Sequence, residues 1–417
     1  MSSSSTPVIA CRACGGRLGA VFCDLGMQPV SNSYVLPERA DAPEPRFPLR
    51  CVVCDDCRLV QLDTVVDAEG IFRDYAYFSS ASASWLAHSA RFAVAMSERL
   101  TLGSRSFVVE VASNDGYLLR NFVAAGIPCL GIEPAANVAE VARAAGVPTE
   151  TRFLGETTAR GIVARRGHAD LVVANNVLAH VPDVNDFVAG LAILAGPHGV
   201  VSIEAPHLLR MVDGVQFDTI YHEHYSYWSL LAMERLLARH GLKVFEVERL
   251  TTHGGSLRVL AGAAEWAASP GLLDVRAEEV ARGLAGDAFY RGFEARVQRT
   301  LGDFRAWLWQ ARAAGRSIGA YGAAAKGNTF LNAAGVTAED IVAVADRSPA
   351  KQGRLLPGSH VPVVTPDALL ALPLDDILML PWNIAGEIAD QLRVGGFRGR
   401  VLIAVPEMRE LGERLAA

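Results

Sequence analysis

The sequence predicts an α/β protein of three parts: a small N-terminal metal-binding unit over residues 8–68, a doubly wound sheet over 69–264 and a second, related βα unit over 265–417. Three observations carry this. Six of the seven cysteines lie before residue 58, short apolar runs alternate with helical ones from about residue 100, and the alternation starts again at Ser317. At 417 residues the chain exceeds one ordinary core, since domains hold roughly 100–200 residues.

In the first part, Cys11-Arg-Ala-Cys14 and Cys54-Asp-Asp-Cys57 form two C-x2-C knuckles about 40 residues apart. Two such knuckles deliver four thiolates to a tetrahedral Zn2+, a closed structural site with no open position for chemistry. Cys51-Val-Val-Cys54 is an equally good knuckle by spacing alone. Cys23, alone beside Phe22, reads as a small packed hydrophobe. An odd number of clustered cysteines favours metal over disulfides, and the ion staples a unit with little core of its own.

In the second part, residues 106–112, 129–134, 170–174 and 200–204 read as buried strands and 117–125 as a helix. Strands alternating with helices imply a parallel, Rossmann-like sheet, whose ligands lie beyond the carboxyl ends of the strands. The first such loop, residues 110–116, reads Glu-Val-Ala-Ser-Asn-Asp-Gly. It lacks G-x-G-x-x-G, and Glu110 and Asp115 would repel a pyrophosphate that prefers backbone N–H groups. The loop suits a cationic, phosphate-free cofactor. Glu133 ends the next strand, where an acid accepts the ribose hydroxyls of an adenosine, and the combination matches an S-adenosylmethionine site. Residues 242–250 and 256–260 flank Thr-Thr-His-Gly-Gly, so they pair antiparallel. A terminal antiparallel hairpin is the mark of the class I methyltransferase sheet.

The third part opens with a helical stretch, residues 265–315, in which Trp307 and Trp309 are expected to anchor packing. Strands follow at 317–321, 341–346, 376–380 and 400–405. The loop after the first carries Lys326 and Asn328 and no acid, which suits a phosphate-bearing ligand at a helix start.

A net charge of −6 without basic runs excludes a phosphate-backbone grip on nucleic acid. No run reaches the roughly 18 apolar residues of a membrane span and no signal peptide is evident, so a cytoplasmic, membrane-free protein is expected.

Several motifs together resemble the nucleotide-sugar C-methyltransferases that build branched deoxysugars in antibiotic and polysaccharide pathways. They are the two knuckles ending in Cys57-Arg-Leu-Val-Gln-Leu62, Tyr75-Ala-Tyr-Phe-Ser-Ser80, the loop 110–116, Asn176-Val-Leu-Ala-His180, Phe217-Asp-Thr-Ile-Tyr-His-Glu-His224, His253-Gly-Gly255 and Tyr321-Gly-Ala-Ala-Ala-Lys326. The resemblance covers nearly the whole chain. It implies structural zinc on Cys11, Cys14, Cys54 and Cys57, with Cys51 a neighbour. It implies S-adenosylmethionine held by Glu110, Asn114, Asp115, Gly116, Glu133 and Asn176. It places a thymidine-diphosphate 4-keto-deoxysugar, methylated at C-3 or C-5, against Tyr75, Tyr77, Ser79, Ser80, Asn176, His253, Lys326 and Asn328, in a monomer. The residue matching His224 would remove the proton beside the ketone, with Glu223, Tyr221 and His180 around it. Ala112 stands where family members often have glycine. An enolate route needs such a base and groups that steady the oxygen. The His-Glu-His run at 222–224 lacks H-E-x-x-H spacing and is read as a loop, not a metal site. A nicotinamide-dependent sugar-nucleotide oxidoreductase, a non-catalytic sugar-nucleotide binder and an O- or N-methyltransferase are the competing readings.

Overall fold

A computed structural model of the chain describes residues 5–66 and 79–412; Tyr75 and Tyr77 lie outside them. The central sheet has seven strands in the order Lys243–Leu250, Ser256–Gly262, Val200–Pro206, Leu171–Asn175, Val108–Val111, Cys129–Ile132 and Thr149–Glu150. Strand Ser256–Gly262 runs antiparallel to both its neighbours, and the other pairings are parallel. Val108–Val111 and Leu171–Asn175 are buried along their whole length, as parallel strands covered on both faces are. The chain builds outward from Val108–Val111 to one side and then returns to the other, so the crevice between the carboxyl ends of Val108–Val111 and Leu171–Asn175 is the switch point where ligands bind.

The C-terminal sheet repeats the scheme: Val363–Val364, Val344–Ala345, Ile318–Tyr321, Asp376–Met379, Arg400–Ile403 and Arg409–Glu410, the last antiparallel. The strand expected at 341–346 pairs only over Val344–Ala345. The stretch 265–315 is two helices, Pro270–Ala281 and Phe293–Ala313, with a short 3-10 turn at Asp287–Phe289 between them. Trp307 packs near Phe304, but Trp309 is 72% exposed. A residue two positions on along a helix turns about 200° away, so both tryptophans cannot face one core.

The N-terminal sheet is antiparallel, in the order Ser226–Tyr227, Val60–Leu62, Phe47–Cys54, Leu18–Gln28. Its outer strand is borrowed from the chain just after His224. Its core is also shared: Phe22 stacks on Phe293 at 4.5 Å, and Leu49, Cys51 and Leu62 pack in one cluster with Phe304, Phe330 and Val344. The segment after it crosses to the C-terminal unit, where Ser31 Oγ meets Thr329 Oγ1 at 3.1 Å and the Tyr34 hydroxyl donates to the Ala323 carbonyl at 2.5 Å.

Residues 207–230 carry the loop that this sharing holds in place. Buried Glu279 clamps both ends, accepting the backbone N–H groups of Leu230 and Leu231 at 2.7 and 2.8 Å and pairing with His207 Nε2 at 2.8 Å. No helix among the described residues is long and apolar enough to cross a membrane.

Candidate active site

The sulfurs of Cys11, Cys14, Cys54 and Cys57 lie within 4.8 Å of one another, with Cys11 to Cys57 at 3.5 Å and Cys14 to Cys54 at 3.4 Å. Bonds of ~2.3 Å in a tetrahedron set sulfurs about 3.8 Å apart, so the four fit one Zn2+. Gly15 takes φ +76° in the first knuckle, a turn that favours glycine. Cys51 pairs across the ladder with Cys23, and burial drives both thiols well up. Strand side chains alternate faces: Cys51 enters the core shared with the C-terminal unit, while Cys54 lies in the cluster of the central domain. Among the described residues this is the only group of three or more His, Cys, Asp or Glu placed to hold a metal.

At the switch point the loop after Val108–Val111 turns through Ala112, Asn114 and Gly116, all at positive φ. A side chain on Gly116 would come within 2.8 Å of Val147, so glycine is required there. Ala112 at φ +53° explains why glycine serves well in that place, since a left-handed alanine is strained. Glu133 organises the loop: Oε2 accepts the Asn114 N–H at 2.9 Å and Oε1 that of Ala135 at 2.8 Å. Each oxygen keeps a second lone pair for a ligand hydroxyl. Glu110 is fully buried, and loss of hydration pushes its carboxyl well above the usual range. Asp115 is buried, with Oδ1 unpartnered among the described residues. Acids held dry in this way are stabilised by a cation. Ser79 and Ser80, expected at the substrate, donate their backbone N–H groups to Asn114 Oδ1 and Asp115 Oδ2 at 2.9 and 3.1 Å, and thus roof the cofactor loop. Asn176, at φ +53°, donates its N–H to the Glu204 carbonyl at 2.7 Å.

The second focus is the loop leading to the borrowed strand. His224 Nδ1 lies 2.9 Å from the Thr219 carbonyl and Nε2 lies 2.6 Å from the Tyr221 hydroxyl. A carbonyl only accepts, so Nδ1 carries the hydrogen. Burial first, then His180 and Lys326, hold this imidazole well below its ordinary pKa, so it is neutral. Nε2 is therefore the basic nitrogen and the tyrosine O–H donates to it. The His180 ring stands edge-on at 4.6 Å and is drawn down to about 4 by burial. Glu223 accepts from Asn32 Nδ2 at 2.7 Å, and burial raises its carboxyl to about 7. His253, at φ +54°, rides on a loop fixed by Thr252, whose hydroxyl donates to Glu204 at 3.0 Å.

Two residues that the sequence left unremarked complete this focus. Asp218 Oδ2 accepts the Trp382 indole N–H at 2.7 Å, and the Trp382 ring lies 5.0 Å from Lys326 Nζ. Among the described residues Lys326 Nζ has no hydrogen-bond partner, and Asn328 is buried with Nδ2 unpartnered. Gly254 makes this packing possible, because a side chain there would meet Trp382 at 2.4 Å. The available signals were Asp218 inside the motif 217–224 and Trp382 just beyond a parallel strand, where ligands gather.

Comparison with known proteins adds the family. Residues 11–72 match a zinc binding domain, 85–247 a methyltransferase domain and 251–406 the C-methyltransferase C-terminal domain. The C-methyltransferase NovU of Streptomyces niveus is 34% identical over 409 residues, 97% of each chain. Among solved structures, a S-adenosylmethionine-dependent methyltransferase of Clostridium acetobutylicum aligns with TM-score 0.35 and 10% identity over 42% of this chain and 91% of that one. Magnesium protoporphyrin IX methyltransferase of Synechocystis, with S-adenosylmethionine bound, aligns with TM-score 0.32 and 15% identity over 43% and 78%. With three matched domains in order and a relative alike from end to end, this chain belongs to the zinc-containing, S-adenosylmethionine-dependent C-methyltransferases.

Proposed function

We propose that the chain methylates a carbon next to the ketone of a nucleotide-diphosphate 4-keto-deoxysugar, thymidine-linked, at C-3 or C-5, acting as a cytoplasmic monomer. The Tyr221–His224 pair carries the reading, because a neutral imidazole with its basic nitrogen on a tyrosine hydroxyl is a proton-accepting unit, which methyl transfer to carbon needs and simple methyl transfer to an amine does not. S-adenosylmethionine supplies the electrophilic methyl group. Tyr221 takes the proton from carbon as its own proton passes to His224 Nε2, and the Thr219 carbonyl keeps the ring in the accepting tautomer. His180, Glu223, Asn176 and His253 line the enolate's surroundings. The ammonium of Lys326 and the amide of Asn328, on the first turns of helix Ala325–Ala334, hold the anionic diphosphate. Cys11, Cys14, Cys54 and Cys57 ligate the structural zinc. The three units divide the work at 8–68, 69–264 and 265–417.

A screen of thymidine-diphosphate sugars for a methyl mass gain tests the substrate. A 4-keto-deoxysugar should gain it and a sugar without the ketone should not. Hydride transfer from a nicotinamide in place of methylation would overturn the reading.

Glu133 both shapes the cofactor loop and offers lone pairs to the ribose. Glu133→Ala is therefore expected to weaken S-adenosylmethionine by about 1.5–3 kcal/mol, the range for hydrogen bonds to a charged group. Calorimetry showing unchanged affinity would remove Glu133 from the cofactor site.

A further inference from the structure

The environment of Asp218 points to recognition of a part of the substrate that neither the proton-accepting pair nor the diphosphate anchor touches. Asp218 is 1% exposed. Its Oδ2 is engaged by Trp382, while Oδ1 has no side-chain partner among the described residues and only the backbone N–H groups of Asp218 and Thr219 lie near the carboxylate. A buried carboxylate short of side-chain partners is costly; burial raises this carboxyl to about 6, with the nearby Lys326 and the Trp382 hydrogen bond opposing the rise. Lys326 Nζ, also unpartnered among the described residues, lies over the same Trp382 ring. An acceptor, a donor and an aromatic face thus converge, each group buried or half-buried.

Position along the chain gives the arrangement its meaning. Asp218 belongs to the 3-10 turn Phe217–Thr219, whose next residue, Thr219, supplies the carbonyl that holds His224. That turn packs against helix Ala325–Ala334, with Phe217 and Phe330 rings 5.9 Å apart. Asp218 therefore stands between the proton-accepting Tyr221–His224 pair and the lysine that would meet the diphosphate. In a sugar nucleotide, C-2 lies between the anomeric carbon and C-3, and the carbon path from the anomeric carbon to C-5 passes C-2 and C-3, the ring positions that can bear hydroxyls.

We propose that Asp218 is a specificity-determining residue whose Oδ1 accepts a hydrogen bond from a ring hydroxyl of the sugar, with the Trp382 N–H fixing the carboxylate. Lys326 balances its charge. This rests on the nucleotide-sugar reading above.

The test compares kcat/KM for a 4-keto-6-deoxy nucleotide sugar with its 2-deoxy and 3-deoxy analogues. Wild-type protein should favour the parent over one analogue by about 10- to 100-fold, the discrimination expected when a charged acceptor loses its hydroxyl partner. In Asp218→Asn the amide oxygen can keep the Trp382 N–H while an NH2 replaces the acceptor, so the preference should collapse towards unity. Trp382→Phe, which keeps a ring and removes the N–H, should blunt it as well. A wild-type enzyme that treats all three sugars alike, or an Asp218→Asn enzyme that loses rate equally on all three, would overturn the proposal while leaving the nucleotide-sugar reading intact. Failure of the wild type to methylate any of the three would instead sink that reading and this one with it.

Discussion

Replacing His224 with alanine is expected to lower turnover by about 10^2- to 10^4-fold, the usual contribution of a positioned acid or base, while zinc content and cofactor affinity should hold. The expectation follows from what His224 touches. The neighbours Thr219, Tyr221 and His180, and Tyr227 with its ring 6.3 Å away, include no zinc ligand and no residue of the loop organised by Glu133. Without the imidazole, the Tyr221 hydroxyl loses the nitrogen that takes its proton in the proposed step, so removal of the proton from carbon should slow. The same logic makes Tyr221→Phe comparably damaging, whereas a direct role for Nε2 alone would spare it. In heavy water, with substrate and demethylated cofactor, the wild type should exchange the proton beside the ketone and His224→Ala should not. Near wild-type exchange and methylation by the variant would remove His224 from the reaction.

Loss of the zinc is expected to be the largest stability effect. Cys54→Ala should abolish the one tightly held zinc per chain and destabilise the protein by about 5 kcal/mol, the upper end of single-substitution effects and typical of a lost metal. Turnover should fall with it, because strand Val60–Leu62, which follows the second knuckle, pairs with Ser226–Tyr227, two residues beyond His224. Cys51→Ala, which removes a small buried group on the opposite face, should retain zinc and cost about 1 kcal/mol. Metal analysis and thermal melts separate the two variants. Equal zinc loss in both would refute the ligand assignment.

That contrast also marks where the sequence stops being legible. Spacing made Cys51–Cys54 as good a knuckle as Cys54–Cys57, and only strand alternation within a known sheet sends Cys51 to one core and Cys54 to the other. The parallel strands and the terminal hairpin were readable, because short apolar runs bounded by turns and a five-residue connection are local signals. The borrowed strand was not, since two residues that complete a sheet 165 to 167 positions earlier carry no periodicity of their own. Asp218 and Trp382 were missed for a related reason: their bond spans 164 residues, and each alone looks like an ordinary surface or core residue. Trp309 was misjudged in the other direction, by treating bulk as a sign of burial without counting turns of the helix.

The central claim is that the transferred methyl group ends on carbon. Incubating the enzyme with carbon-13 methyl-labelled S-adenosylmethionine and a thymidine-diphosphate 4-keto-deoxysugar, and reading the product by carbon NMR, addresses it directly. The account predicts a labelled methyl bonded to the ring carbon beside the ketone, with the proton of that carbon gone. A labelled methyl on a ring oxygen or nitrogen, with that proton still in place, would contradict it.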